Sequence, residues 1–184
     1  MPEIRIARTA DDLAGVVTLL RSYLAWHRVR HASHRDMIDR YFGDQDFEDE
    51  LARLPGDFSP PQGRLLLATV AGQPAGTVAL RDLGGGTSEM KRLFVASNFQ
   101  GQGVGRYLLQ RLVADASAIG YESIRLDTGP LQYEAHRLYE RAGFCRISPY
   151  GTHDHALRDW LFFMELKLRR HGMEPSVPAG RAMA

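Results

Sequence analysis

Charged and apolar residues alternate from Glu3 to Ala7, the two-residue period of a half-buried strand. The period then lengthens. Leu13, Val16, Val17, Leu20 and Leu24 fall on one helical stripe behind Thr9-x-x-Asp12, a capping signal with acids in the first turn. That helix ends between Trp26 and Ser33. Short helices are expected over Asp36–Tyr41 and Phe47–Leu54, the second broken by Pro55-Gly56 before a Ser59–Gly63 loop. Apolar runs at Arg64–Val70 and Gly76–Leu80, joined by Ala71-Gly72-Gln73-Pro74, read as a hairpin. Gly84-Gly85-Gly86 turns the chain into a strand at Glu89–Val95. A helix over Gly103–Ile119 and a strand over Glu122–Asp127 follow. The next helix has Pro130 in its first turn, runs to Arg141 and stops at Gly143. Strand Phe144–Ile147, a polar loop over Pro149–Asp159 and a closing strand Trp160–Leu168 complete the pattern.

Mostly antiparallel strands before the central helix, with β-α-β-α-β after it, predict an α+β (mixed α/β) domain over residues 1–168. Residues 169–184 carry Pro, Gly and charge without periodicity and are expected to form a flexible C-terminal tail. Of the 184 residues 44% are hydrophobic and 24% charged, as in an ordinary globular protein. A net charge of +1 supplies no basic field to recruit nucleic acid or an anionic membrane. No apolar run approaches the roughly 20 residues that span a bilayer. The charged, strand-like N-terminus is not a secretory signal. The single cysteine, Cys145, forms no intramolecular disulfide and fits a reducing compartment. A cytoplasmic protein is expected.

The chemistry concentrates at Gln100-Gly101-Gln102-Gly103-Val104-Gly105-Arg106, between the Glu89 strand and the central helix. Glycines in a first helical turn each cost about 1 kcal/mol relative to Ala. The charge pattern is also reversed: Arg106 sits at the positive end, and the first acid is Asp115. Bare amides and a cation where a helix starts suit an anionic ligand. No Lys-Ser/Thr follows the last glycine, so this is not a Walker A loop. Nor is it Gly-x-Gly-x-x-Gly, since the third glycine comes one residue early. Nucleotide-dependent oxidoreductase and kinase chemistry is therefore disfavoured.

Gln100-x-x-Gly103-x-Gly105 behind a strand ending in Val95 resembles the acyl-CoA pyrophosphate loop of the GCN5-related N-acetyltransferases (GNAT). Ala135-His-Arg-Leu138-Tyr139-Glu140-Arg-Ala-Gly143-Phe144 is similar to that family's second signature. The spacing between the two also matches. The resemblance implies a three-layer fold, with a central mixed, mostly antiparallel sheet, helices on both faces, and two strands parting beside the glycine loop. It implies acetyl-CoA as cosubstrate, with no metal, and an amine acceptor, expected to be a small molecule. The amides of Gln102, Gly103, Val104, Gly105 and Arg106 would hold the diphosphate, beside Gln100 and Gly101. Leu93 and Val95 would offer main-chain groups to the pantetheine arm. A homodimer would be in keeping with the family, and the acceptor stays open.

Acyl transfer to an amine needs a base, and a proton for the departing thiolate. Glu89 is the expected base and Asp127 the alternative, although Asp127 also reads as a cap for Gly129–Leu131. Ideal alternation puts Glu89, Lys91, Leu93 and Val95 on one strand face, with a bulge able to disturb that count. Tyr139 is the expected acid, because a phenol stays protonated at neutral pH. A CoA-binding module without turnover is the competing reading, which needs neither residue. By resemblance, Tyr23, Trp26, Tyr41, Phe42 and Phe47 are candidates to line the acceptor region, or else ordinary core. His27, His31 and His34 share a helical face, read as solvated rather than metal-binding. His153-Asp154-His155 reads as plain surface, His136 as structural and Cys145 as core.

Overall fold

A computed structural model describes residues 1–168, so the tail expected over 169–184 lies outside the described residues. Strand β1 (Glu3–Ile6) leads into helix α1 (Ala10–Arg30). Thr9 caps that helix: its hydroxyl accepts from the Asp12 N–H at 3.1 Å, and the Asp12 carboxylate accepts from the Thr9 N–H at 3.3 Å. Helices α2 (Arg35–Phe42) and α3 (Asp44–Ala52) follow, then strands β2 (Arg64–Val70), β3 (Gln73–Gly84) and β4 (Thr87–Val95). Helix α4 (Val104–Ile119), strand β5 (Ser123–Thr128), helix α5 (Tyr133–Arg141), strand β6 (Cys145–Ile147), helix α6 (His155–Trp160) and strand β7 (Phe162–Lys167) complete the described chain. Among the described residues, no helix is long and apolar enough to cross a membrane.

The strands form one sheet in the order β1-β2-β3-β4-β5-β7-β6. Every adjacent pair is antiparallel except β4 with β5. Alternate residues of β2 serve two cores. Leu66 and Ala68 pack with Leu108, Leu109 and Leu112 of α4. Leu65 and Leu67 pack with Val16, Leu20, Phe42 and Phe47 from α1, α2 and α3. The result is three layers with helices on both faces, as the resemblance implied.

Two features of β4 position the site. Its parallel pairing with β5 covers only Thr87–Glu89 against Ser123–Arg125, after which the strands part. Beyond that point β4 carries a bulge: Arg92 and Leu93 together oppose Val78, and Arg92 has φ 60°. The bulge corrects the expected alternation. Met90, Leu93 and Val95 pack towards the α4 core, whereas Arg92 lies over the rings of Phe42 and Phe47 and Phe94 joins the α1 core.

Other differences are local. Pro130 lies in a turn ahead of α5, because Gln132 Oε1 accepts from the Gly129 N–H at 2.6 Å and holds that turn outside the helix. The expected polar loop contains α6, capped by Asp154, which accepts from the Leu157 N–H at 3.0 Å; the closing strand therefore starts only at Phe162. Cys145 is exposed on the sheet's edge strand rather than in the core.

Candidate active site

Helix α4 starts at Gly103, whose φ of 80° is left-handed and disfavours any side chain. No side chain caps this end and no acid stands in its first turn. The Tyr107 N–H donates to the Gly103 carbonyl at 3.1 Å, so the amides of Val104, Gly105 and Arg106 precede the first paired donor and have no intrahelical acceptor. Gly105 has a different reason to be glycine. A Cβ there would stand 3.5 Å from Val95 and 3.7 Å from Leu138, both ordinary contacts. The protein's own packing does not require the missing methyl; the gap leaves main chain approachable from outside.

These amides open into a cleft of about 620 Å³ where β4 and β5 have parted. Leu93, Val95, Phe99, Gln100, Gly101, Gly103, Val104, Gly105 and Arg106 line one side, Ala135 and Leu138 of α5 the other, and Tyr23 and Trp26 of α1 also border it. Arg30, Arg106, Arg137 and Arg141 give it cationic walls. Two glutamines are tied back: Gln100 Nε2 donates to the Val95 carbonyl and Gln102 Nε2 to that of Asn98, each at 3.0 Å. The Gln102 side chain is not part of the wall.

A chamber of about 20 Å³ shares Tyr23, Leu93 and Gln132 with the cleft and is bordered also by Tyr41, Lys91, Arg92, Asp127 and Tyr139. Asp127 accepts from Tyr41 Oη at 2.6 Å and sits 3.2 Å from His153 Nε2 and 3.5 Å from Lys91 Nζ. Burial raises its pKa, but the Lys91 charge and the hydrogen bonds from His153 and Tyr41 outweigh that and hold it below the usual carboxylate range. Arg92 donates from Nε and Nη2 to Glu50, at 2.8 and 2.7 Å. Glu89 is 2% exposed. Its Oε2 takes both Arg81 Nε (2.7 Å) and Nη2 (2.6 Å), and its Oε1 accepts from Tyr150 Oη at 2.9 Å. Burial, with Tyr23 and Asp127 nearby, pushes the Tyr139 phenol upward, so it stays protonated.

The sequence profile of the Acetyltransferase (GNAT) family matches residues 24–144. The IAA acetyltransferase of Azospirillum brasilense is 31% identical over 83% of this chain and 92% of that protein. The chain belongs to the GNAT acetyltransferase family. Solved structures show the same fold: an acetyltransferase from Streptococcus agalactiae superposes with TM-score 0.69 at 22% identity, over 91% of this chain and 98% of that one. The PaiA N-acetyltransferase from Thermoplasma acidophilum, solved with coenzyme A, gives 0.67 at 19% identity over 91% and 99%.

In this GNAT chain the residues expected at the cofactor all gather around the cleft, apart from the Gln102 side chain. The expected catalytic pair separates. Tyr139 borders the chamber; Glu89 stands outside its wall with both oxygens engaged. The expected cap at Asp127 is supplied instead by Gln132, which accepts from the Gly129 N–H and the Thr128 hydroxyl. Two histidine expectations are corrected. His27 and His31 are buried, 4% and 0% exposed, with Nδ1 atoms 3.4 Å apart, because α2 and Trp160 cover that face of α1. His153 is not plain surface, since the loop before α6 folds it onto Asp127. Of the proposed acceptor aromatics, Tyr23, Trp26 and Tyr41 border the cleft or chamber, while Phe42 and Phe47 are core. Sequence reading missed the Arg92–Glu50 pair and the gathering of Lys91 and His153 around Asp127, contacts made only by the fold. Among the described residues no three metal-ligating side chains converge.

Proposed function

We propose that this GNAT N-acyltransferase moves an acetyl group from acetyl-CoA to the primary amine of a small molecule, by direct attack and without an acyl-enzyme. The observation that carries the reading is the bare first turn of α4 facing the gap between β4 and β5, with a glycine at 105 that internal packing does not demand. The amides of Gln102 to Arg106 hold the diphosphate there, with Arg106 adding charge. Leu93 and Val95 lie where β4 has lost its β5 partner and offer main-chain groups to the pantetheine amides. A docked arm competes with Gln100 for the Val95 carbonyl.

Acetyl-CoA supplies the acyl group as a thioester. An alkylammonium of pKa about 10.4 must lose a proton before it attacks. Asp127 is ionised and borders the chamber, so it meets the ammonium and orients it. His153, at 3.2 Å on the same carboxylate and one-fifth exposed, takes the proton outward to water. The geometry favours this couple over Glu89, whose oxygens are held by Arg81 and Tyr150. Tyr139 keeps its phenolic proton and gives it to the departing thiolate. The test is thiol release from acetyl-CoA across a panel of small amines. Turnover confined to primary amines is expected, and no release with any amine would overturn the reading.

A further inference from the structure

The small chamber carries a charge pattern that a plain amine does not need. Lys91 and Arg92 are consecutive, and consecutive residues of a regular strand point to opposite faces. The bulge at Arg92 removes that alternation and brings both cations to the same chamber wall. It does so with a buried arginine at φ 60°, a left-handed conformation that is unfavourable for a non-glycine residue.

The cations keep hydrogen-bonding capacity. Arg92 spends Nε and Nη2 on Glu50, and neither bond uses Nη1. Lys91 Nζ lies 3.5 Å from Asp127 and 3.9 Å from Glu89, both longer than a well-formed ammonium bond of about 2.8 Å. Glu50 and Glu89 stand outside the chamber wall, so the charges bordering the void are Lys91, Arg92 and Asp127. Tyr23, Tyr139 and Gln132 border it too. An acceptor ammonium is matched by Asp127. The two cations are left facing the same small space.

We infer that the acceptor carries a carboxylate close to its reacting amine, as an amino acid does, and that Lys91 and Arg92 are the residues that select it. The inference rests on the acyl-transfer reading above. Asp127 takes the ammonium and the Lys91–Arg92 edge takes the acid, so the acceptor is bound as a zwitterion. Its entry displaces Tyr41 from Asp127 and opens the chamber, which in this structure has room for little more than one water. Diamines and polyamines bring a second cation to the Lys91–Arg92 wall and are rejected by it.

The test uses the native protein with acetyl-CoA and matched acceptors: free α-amino acids, the same compounds as carboxamides, alkylamines and diamines. The best acceptor is expected to be an acid whose kcat/KM falls about 100-fold on amidation, since a site built for a charged partner rejects its neutral analogue strongly. Arg92→Lys and Lys91→Gln should raise KM for that acid about 10-fold or more, lower the acid-over-amide ratio of kcat/KM by a similar factor, and leave acetyl-CoA affinity intact. Carboxamides or diamines performing as well as acids would overturn the inference. So would variants that leave the acid-over-amide ratio of kcat/KM unchanged. If plain amines are acetylated and acids are not, only the carboxylate claim falls; if nothing is acetylated, the acyl-transfer reading falls first.

Discussion

On the α4 side of the gap between β4 and β5 the protein offers main chain: bare amides, a left-handed Gly103 and a Gly105 that packing does not require. On the other side, where Tyr41 of α2 and His153 close over the sheet, it offers buried charge: Asp127 with Lys91 and His153, Arg92 with Glu50, and Glu89 with Arg81. The first surface suits a diphosphate, because amides and a helix terminus read charge and little else. The second is a set of side chains, each held by others, and can be specific. The contrast teaches where the two substrates divide their requirements. On the proposed reading, the ligand common to the family meets backbone, and the ligand particular to this chain meets side chains.

Separating the two surfaces by mutation is the way to break the comparison. The largest effect is expected at Asp127. Asp127→Asn should lower kcat by about 10³-fold, within the range for a lost proton-transfer group, while calorimetry shows unchanged acetyl-CoA affinity. A parallel loss of affinity would mean the surfaces are one. Tyr139→Phe should slow thiol release about 10²-fold at saturating substrates, again with affinity nearly unchanged. An unaltered rate would remove the phenol from the reaction.

A smaller effect sharpens the charged side. Burial, and then the neighbouring His31 and Arg92, pushes the His27 pKa down to about 3, against about 6.5 in the unfolded chain. Between those values the unfolded chain binds the extra proton, so stability falls as pH drops below about 6.5, by up to about 1.4 kcal/mol per pH unit. His27→Leu should flatten that acid limb in a series of melting temperatures between pH 7 and 5. An identical slope in both proteins would show that His27 is not neutral in the fold. At Thr9, Thr9→Ala should cost about 1 kcal/mol, a shift of roughly 2–4 °C in Tm, and touch neither substrate.

The main-chain side was legible in the sequence because glycine spacing reports directly on backbone. Gly103 and Gly105 announce where amides are bare, and the Leu138-Tyr139 signature marks the opposite wall. The sheet order beyond the resemblance, and the bulge at Arg92, left no such trace. Nothing in Met90-Lys91-Arg92-Leu93 states that Arg92 takes φ 60°, since the partners of its side chain, Glu50 and the α2–α3 aromatics, meet it only in the fold. Asp127 read as a cap because a strand-end Asp usually is one. Only the fold shows that Gln132 does that work and frees Asp127 for Tyr41 and His153. His27 and His31 read as solvated because helical spacing gives a face, not what covers it.

The central claim, that acetyl-CoA docks on the bare amides at the start of α4, is tested most directly by calorimetry on the native protein and on Gly105→Asp. A carboxylate in the first turn favours an unliganded helix through its dipole, so the variant should fold and melt at or above the native temperature. It should repel the diphosphate. The account predicts micromolar or tighter acetyl-CoA binding to the native protein, weakened about 100-fold or more in Gly105→Asp with Tm preserved. Equal binding by the two proteins, or none by the native one, would contradict it.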